Sequence, residues 1–127
     1  VLLGRPYGGC AILCRNFRKS VNASFRPIEC DSKRIVAIGM KSEETMNIFI
    51  NVYMPCEDKD STEDFVTQLA HLCDILDNYP DSNIIIGGDL NVDFNRTTTH
   101  TALLRNFIDN RDLICDCTLP GANTVDF

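Results

Sequence analysis

Apolar and polar positions alternate in short runs through the first half of the chain, and this pattern predicts a succession of β-strands. The clearest run is Met46 to Met54, in which the even-numbered apolar residues face one side of a strand while Phe49 and Tyr53 face the other. Pro55 follows and ends this strand, because proline cannot donate a hydrogen bond to the sheet ladder. Three earlier segments have the same character: Gly8 to Arg15, Val21 to Cys30 and Ile35 to Met40. Strands joined in this way by short polar turns predict an antiparallel meander.

Two later segments have helical periodicity. Ser61-Thr62-Glu63-Asp64 has the pattern of a capping box, and apolar residues at helical spacing continue toward Pro80, which predicts a helix of about four or five turns. A second helix is predicted from about His100 to Asn110. Between them, the continuous apolar run Asn83 to Gly87 predicts a strand buried on both faces, and Leu113-Ile114 predicts the start of another strand. The order β-β-β-β-α-β-α-β predicts an α/β sandwich of two sheets with helices outside.

The size and composition are those of one globular domain. The chain has 127 residues, of which 44% are hydrophobic and 24% charged. No stretch approaches the roughly 18 apolar residues of a membrane span, and no signal peptide is visible after Val1. We therefore expect an intracellular protein of the nucleus or cytoplasm that is not secreted and not bound to a membrane. Because the chain does not begin with Met and ends in Val125-Asp126-Phe127, which has the pattern of a strand start, both ends are expected to be cut.

Seven cysteines form an odd set that lacks a Cys-x-x-Cys pair and lacks a histidine cluster at zinc spacing. They are residues 10, 14, 30, 56, 73, 115 and 117. We interpret them as free thiols that act as small hydrophobes in a reducing compartment. Cys115 and Cys117 alone are too few ligands to define a soft-metal site.

The net charge of −6 conceals an asymmetry along the chain. Residues 1–41 contain eight Lys or Arg and two acidic residues, whereas residues 42–127 contain four and sixteen. An acidic chain does not follow a phosphate backbone through its net charge. A basic segment beside acidic side chains is nevertheless compatible with a metal-dependent phosphate enzyme, because carboxylates hold Mg²⁺. Solvated surface charge without a function is the alternative interpretation.

The segment with the strongest chemical signal is Gly87-Gly88-Asp89-Leu90-Asn91-Val92-Asp93, which follows an isoleucine run. In extended backbone Asp89 and Asn91 project to the same face, where a carboxylate accepts a proton from water and a carboxamide donates to a phosphate oxygen. A turn without function is one alternative. A calcium loop is a second, but it fails because Phe94 stands where an EF-hand needs glycine and His100 where it needs glutamate. The third is a phosphodiesterase active site.

Three phrases resemble motifs of the endonuclease/exonuclease/phosphatase superfamily, the DNase I-like proteins. The phrase around Asp89 and Asn91 is similar to the family's Gly-Asp-Phe/Leu-Asn motif. The phrase Asn51-Val52-Tyr53-Met54-Pro55 is similar to the Tyr-x-Pro motif that precedes the family's amphipathic helix. Gly4 to Leu13 resembles the upstream Gly-Gly-x-Ala-Ile strand, especially the versions in non-long-terminal-repeat (LINE-type) retrotransposon polyproteins, which also encode a reverse transcriptase. The order and spacing of the three phrases match the family over the whole chain.

The resemblance implies a fold, a reaction and roles for three residues. The fold is a truncated four-layer α/β sandwich of two mainly antiparallel or mixed sheets flanked by helices, with residues 1–127 as a partial domain that lacks N- and C-terminal parts. The reaction is phosphodiester hydrolysis that depends on Mg²⁺, or on Mn²⁺ in its place, and nicks DNA. Asp89 would orient or deprotonate the attacking water, Asn91 would hold the scissile phosphate and steady Asp89, and Tyr53 would donate its hydroxyl to the phosphate. Asp89 and Asn91 would also serve as metal ligands.

Departures from the family pattern limit what this chain alone is expected to do. The family's upstream Asn and main metal-binding Glu, and its C-terminal Asp-His motif, have no counterpart in the sequence. His71 is expected to be exposed on a helix and His100 to pack at a helix N-terminus, so neither replaces the catalytic histidine. The isolated chain is expected to be marginally stable, to bind metal weakly and to have negligible turnover. Under this interpretation, the basic residues expected to approach phosphates are Arg5, Arg15, Arg18 and Lys19.

Three other interpretations remain open. The nearest is an apurinic-site endonuclease or exonuclease of the same superfamily. The second is a truncated or domesticated remnant without catalysis, and the third is a generic α/β domain whose Gly-Gly-Asp-Leu-Asn is a turn. Convergence of Tyr53, Asp89 and Asn91 on a single cleft would argue against the generic domain. The protein is expected to be a monomeric part of a larger polyprotein with DNA as its substrate.

Overall fold

The computed structural model describes residues 9–14, 24–42 and 44–115, which form four strands and two helices. The chain divides into two compact units, Val1–Val92 and Asp93–Phe127. The first unit contains the whole described sheet and one helix, and the second contains the other helix. In chain order the elements are β1 (Ser24–Ile28), β2 (Ile35–Lys41), β3 (Met46–Tyr53), α1 (Thr62–Asn78), β4 (Asn83–Asp89) and α2 (Thr99–Asn110).

The sheet has the order β1-β2-β3-β4 and combines two kinds of pairing. β1, β2 and β3 pair antiparallel as a meander, which confirms the prediction for these strands. β4 pairs with β3 in parallel, because the intervening helix α1 returns the chain to the end of the sheet at which β3 begins. The parallel register places Tyr53 opposite Asp89, so that both strands end at the same edge.

The core of the first unit lies on one face of the sheet. Alternate positions of β2 and β3 are buried there, with Ile48 fully buried and Val52 1% exposed. The buried stripe of α1 includes Phe65 and Leu72, at 0% and 1% exposure. One hydrogen bond and one ion pair join residues just before β2 to the same helix, so α1 covers this face. The remaining buried apolar residues of the first unit are Ile35, Ala37, Ile50, Met54, Leu69, Ile75 and Leu76.

Helix α1 forms where its sequence predicts it, but its start differs from a capping box. Ser61 is the N-cap residue and has a helical backbone, and its side chain makes no capping hydrogen bond. The Ser61 hydroxyl instead accepts from the Asp58 backbone N–H at 2.9 Å and donates to the Asp58 carbonyl at 3.1 Å. The serine therefore closes the turn that precedes the helix. At the other end, the Tyr79 N–H donates to the Leu76 carbonyl before Pro80 stops the helix.

Two predicted strands are wrong for physical reasons that the backbone makes clear. Residues 9–14 are not a strand, because they do not form the backbone ladder of one. The Ala11 carbonyl, for example, accepts a hydrogen bond from the side-chain Nδ2 of Asn51 at 2.9 Å. Leu113 does not start a strand, because its N–H donates to the Ile108 carbonyl at 3.0 Å and closes the end of α2. Asp112 has a φ of 50°, the left-handed conformation that commonly terminates helices.

The expectation that β4 is buried on both faces is also wrong. Ile85 is 59% exposed, and Ile84 and Ile86 are only half-buried. Within the described residues β4 is an edge strand, so it has a neighbour on one side only. The described part of the chain contains one sheet, so it does not show the predicted second sheet. Residues 21–23 of the predicted second strand lie outside the described residues.

The second unit is organised around α2. Thr98 caps this helix by accepting from the Thr101 N–H at 3.2 Å. His100 is fully buried in the first turn, which confirms its predicted packing role at the helix N-terminus. Arg105 places its guanidinium 5.5 Å from the centre of the Phe94 ring and donates to the Phe94 carbonyl at 2.7 Å, so it ties the helix to the loop before it.

The described cysteines are free thiols, as predicted. They are Cys10, Cys14, Cys30, Cys56, Cys73 and Cys115. They do not act as buried hydrophobes, however, because each is half-buried or exposed. Neither described helix is both long enough and apolar enough to cross a membrane.

The packing of α1 leads to a stability prediction. Leu72→Ala removes a side chain that is 1% exposed and should lower the free energy of unfolding by about 2–5 kcal/mol. Val66→Ala is the matched control on the same helix, because Val66 is 45% exposed and its truncation should change stability by less than about 0.5 kcal/mol. Urea denaturation followed by far-ultraviolet circular dichroism measures both. Equal losses would contradict the placement of the buried stripe.

Candidate active site

Tyr53 and Asp89 lie side by side at the carboxyl ends of two parallel strands. They are Cα partners in the register of β3 and β4, and partners in a parallel ladder point their side chains to the same face of the sheet. The Met54 N–H donates to the Asp89 carbonyl at 2.8 Å and continues the pairing beyond the last residue of β3. The structure therefore places the two residues that the sequence singled out at neighbouring backbone positions. Loops beyond the carboxyl ends of parallel strands are the usual place for ligands in α/β sheets.

Asn91 is joined to the same edge by three hydrogen bonds. Its backbone N–H donates to Asp89 Oδ1 at 3.1 Å, and its side-chain Nδ2 donates to the Met54 carbonyl at 2.7 Å. The Cys56 thiol donates to Asn91 Oδ1 at 3.4 Å. Asn91 has a φ of 50°, a left-handed conformation that asparagine tolerates better than most residues. Its backbone orients Asp89, while its carboxamide fastens the loop after β3.

Gly88 lets the two strands approach closely just before Asp89. Its φ is 127°, and a Cβ at this position would fall on the Val52 carbonyl oxygen and within 2.6 Å of Asn51 Oδ1. Gly87 has no such neighbour, since a Cβ there would meet nothing within 4 Å. The second glycine of the pair is therefore the one that the site geometry requires.

Arg34 packs against Tyr53 from the opposite side to β4. The Arg34 guanidinium lies 5.5 Å from the centre of the Tyr53 ring, and its Nη1 donates to the Tyr53 carbonyl at 3.3 Å. Arg34 Nε also pairs with Asp64 Oδ2 at 3.2 Å. A cavity of about 830 Å³ opens beside Arg34 and Tyr53 toward the loop before α1. Tyr53 lines this cavity but Asp89 and Asn91 do not, so the expected convergence of the three side chains on a single cleft is not observed. The candidate site is instead the exposed strand edge, where the register of β3 and β4 places Tyr53 beside Asp89.

The described residues fit only part of a Mg²⁺ site. Asp89 offers an exposed carboxylate, and one of its oxygens already accepts from Asn91. Within residues 9–14, 24–42 and 44–115, no three His, Cys, Asp or Glu side chains come together as ligands for a metal ion. Mg²⁺ is commonly held by one or two carboxylates together with water and substrate phosphate. The exposed carboxylate of Asp89 has the chemistry of one such ligand.

The remaining predicted residues lie elsewhere or outside the described chain. His71 was expected to be exposed, but it is half-buried. It lines a second cavity together with Asp74 and Tyr79. His100 belongs to the second unit. Arg5, Arg15, Arg18 and Lys19 lie outside the described residues. The site residues that sequence reasoning missed are Arg34 and Cys56, since neither a residue before a strand nor a lone cysteine carries a signal for side-chain contact.

Two half-buried thiols have altered acidity. Burial raises the pKa of the Cys10 thiol above its ordinary value, and the Arg34 guanidinium offsets part of this rise. Burial is also the main cause that raises the pKa of Cys30, where a hydrogen bond from Ser32 offsets it and the charges of Asp31 and Asp74 add to it. These thiols are protonated at neutral pH and are therefore weak nucleophiles.

Solved structures match the described fold, and one of them covers most of this chain. The endonuclease domain of TRAS1, a telomere-specific non-LTR retrotransposon, aligns with a TM-score of 0.57 and 12% sequence identity over 71% of this chain. The chain shares the fold of a retrotransposon endonuclease domain. This likeness confirms the α/β fold of an endonuclease domain that the three sequence phrases implied. The chain spans 42% of the length of that structure.

At 12% identity the likeness concerns the fold and not the activity. No protein-family model matches the sequence, and no curated protein matches it either. The structural match is therefore the comparison that supports the resemblance seen in the sequence.

The close approach at Gly88 leads to a second stability prediction. Gly88→Ala places a Cβ on the backbone of β3 and demands a φ that L-residues avoid, so it should lower the free energy of unfolding by at least about 2 kcal/mol. Gly87→Ala is the matched control and should change stability by less than about 1 kcal/mol. Thermal and urea denaturation of both variants test this difference. Two variants of equal stability would show that the strands are not so close.

The thiols give a third prediction. At pH 8, iodoacetamide should modify the exposed Cys14 and Cys56 at least about threefold faster than Cys10 and Cys30, because burial shields the latter pair and raises their pKa. Mass spectrometry of peptides from a time course measures each rate. Equal rates at all four sites would contradict the described burial.

Proposed function

We propose that this chain is the central part of a Mg²⁺-dependent phosphodiesterase that nicks DNA, of the kind found in non-LTR retrotransposons. The single observation that carries the proposal is the register of β3 and β4, which pairs Tyr53 with Asp89, while hydrogen bonds from Asn91 reach both strand ends. The shared fold with a retrotransposon endonuclease domain supports it. In this proposal the substrate is genomic DNA and the protein acts inside the cell, in the nucleus or cytoplasm.

In this proposal Asp89 is the general base. Its side chain is exposed, and the Asn91 N–H that binds Oδ1 leaves the other carboxylate oxygen to face a water molecule. A carboxylate held in this way orients the water for in-line attack on phosphorus and accepts its proton. A positioned base typically contributes about 10²–10⁴-fold to the rate.

Tyr53 and Asn91 have supporting roles at the phosphate. The Tyr53 hydroxyl donates to a non-bridging phosphate oxygen as negative charge builds, and each pre-aimed donor of this kind contributes about 2.7–4 kcal/mol. Asn91 Nδ2 uses one hydrogen for the Met54 carbonyl and has a second to offer the phosphate. The bond to Met54 thereby fixes the direction in which the second hydrogen points.

The complete reaction draws on groups beyond those described. When bound, Mg²⁺ would neutralise charge on the phosphate, with Asp89 as a carboxylate ligand and Asn91 as a further candidate oxygen ligand. We propose that the catalytic histidine and the main metal-binding glutamate come from sequence that flanks these 127 residues. The span of 42% of the matched endonuclease domain supports this division.

Nicking of supercoiled plasmid by the protein made from the whole open reading frame tests the proposal. Asp89→Asn keeps the size of the side chain but removes the base, and it should slow nicking by about 10²–10⁴-fold. Tyr53→Phe should slow it by about 10²-fold. EDTA should stop cleavage and added Mg²⁺ should restore it. The 127 residues alone should show negligible turnover.

Asp81→Asn is the matched control, because Asp81 is an exposed carboxylate in the turn before β4, at the opposite end of that strand. It should nick at the parent rate. A parent protein that fails to nick, or an Asp89→Asn variant that nicks as fast as Asp81→Asn, would refute the proposal. A variant that loses activity must also retain the parent melting temperature for the result to count as chemistry.

A further inference from the structure

Arg34 is the residue through which the helix α1 reaches the candidate active site. It precedes β2, and its side chain contacts both the ring and the backbone carbonyl of Tyr53. The backbone is joined as well, since the Tyr53 N–H donates to the Arg34 carbonyl at 2.9 Å. One arginine therefore touches Tyr53 at its amide, its carbonyl and its ring.

The guanidinium itself is held by a closed set of hydrogen bonds, which we call the Ser32–Gln68–Asp64 ring. Asp64 Oδ2 pairs with Arg34 Nε at 3.2 Å, and Asp64 Oδ1 accepts from Gln68 Nε2 at 2.7 Å. Gln68 Oε1 accepts from the Ser32 hydroxyl at 2.5 Å. Ser32 Oγ accepts from the Arg34 backbone N–H at 3.0 Å, which closes the ring on the residue where it began.

Burial makes this ring rigid at its centre. Gln68 is a polar side chain that is only 6% exposed, and both ends of its amide are satisfied by Ser32 and Asp64. A buried amide with both ends bound has a fixed orientation, because rotation would leave polar atoms unpaired at a cost of about 1–3 kcal/mol. One carboxylate oxygen of Asp64 thereby binds Gln68 and the other binds Arg34. This arrangement fixes the orientation of the planar guanidinium group.

We propose that Arg34 is a positioning residue for Tyr53, and that the Ser32–Gln68–Asp64 ring holds it in that role. The inference rests on the proposed function, because it assigns a task to a residue that contacts the proposed phosphate donor. A phenol that must meet charge developing on a phosphate needs its ring held in place, since a displacement of about 1 Å costs about 10²-fold in rate. The guanidinium packs on one face of the Tyr53 ring and donates a hydrogen bond to the Tyr53 carbonyl, so it limits the motion of both the ring and the backbone.

Two other roles make different predictions for Arg34. A purely structural role would reduce stability without a specific effect on turnover. A direct contact with DNA phosphate would weaken substrate binding, and lysine would serve nearly as well because only the charge is needed. Positioning instead requires the planar fork that contacts the ring, the carbonyl and Asp64 together, and lysine lacks this fork.

The test compares steady-state nicking by the protein from the whole open reading frame with that of its Arg34→Gln, Arg34→Lys, Tyr53→Phe and Arg34→Gln/Tyr53→Phe variants. Arg34→Gln and Arg34→Lys should each lower kcat by about tenfold and change KM by less than about twofold. In the Tyr53→Phe background, Arg34→Gln should lower kcat by less than about twofold, because the hydroxyl that it positions is already absent. Asp64→Asn should lower kcat to a value between those of the parent and Arg34→Gln, because it removes the ion pair that holds the guanidinium but keeps Arg34 itself.

Arg26→Gln is the matched control, since Arg26 is an exposed arginine on β1 and its replacement changes the charge equally. It should leave kcat at the parent value. Melting temperatures of all variants separate loss of activity from loss of fold.

The outcomes separate the inference from the proposed function. If Tyr53→Phe and Asp89→Asn slow nicking but Arg34→Gln behaves like Arg26→Gln, the positioning role is wrong and the nuclease assignment stands. If Arg34→Gln raises KM and Arg34→Lys restores it, or if the loss in kcat persists in the Tyr53→Phe background, Arg34 acts independently of Tyr53 and the inference is overturned. If the parent protein does not nick DNA, both proposals fail.

Discussion

The parallel pairing of β3 with β4 is the constraint on which the candidate site depends. It brings two strand ends that are 36 residues apart in the chain to the same edge, with Tyr53 directly opposite Asp89. The pairing is possible because α1 carries the chain back across the buried face of the sheet. It also needs Gly88, since any side chain there would collide with the backbone of β3. Helix, glycine and register thus act together, and the polar residues only occupy positions that the backbone has already defined.

A second layer of polar contacts connects the buried helix face to that edge. Gln68 belongs to the core side of α1, yet its partners lead through Asp64 to Arg34 and so to Tyr53. The contacts on Asn91 work from the other side, through the loop after β3. The edge is therefore held from two directions, by Arg34 on one side and by Asn91 on the other. Rigid support of this kind is what a site needs if donors are to be aimed before charge develops.

The sequence predicted the strands and helices where periodicity reports burial, and it failed where other forces decide. β2, β3 and α1 follow their apolar pattern because one face of each is buried. The apolar run of β4 predicted burial on both faces, but burial also depends on how many strands lie beside β4, and a local sequence pattern does not contain this information. Leu113 was predicted to begin a strand because the pattern does not reveal that its N–H terminates α2. Tyr53, Asp89 and Asn91 were identified through motif resemblance, whereas Arg34 and its ring depend on contacts between distant residues and leave no local signature.

The left-handed backbone of Asn91 has a consequence for how such sequences are interpreted. The position calls for a residue that tolerates a φ of 50° and also donates a side-chain hydrogen bond to Met54. Glycine satisfies the first requirement only, and an ionised aspartate cannot donate, so asparagine is favoured there by folding alone. The backbone of the strand edge thus accounts for the asparagine of the Gly-Asp-Leu-Asn phrase by itself, and the presence of this residue in a sequence is evidence of a fold before it is evidence of a reaction.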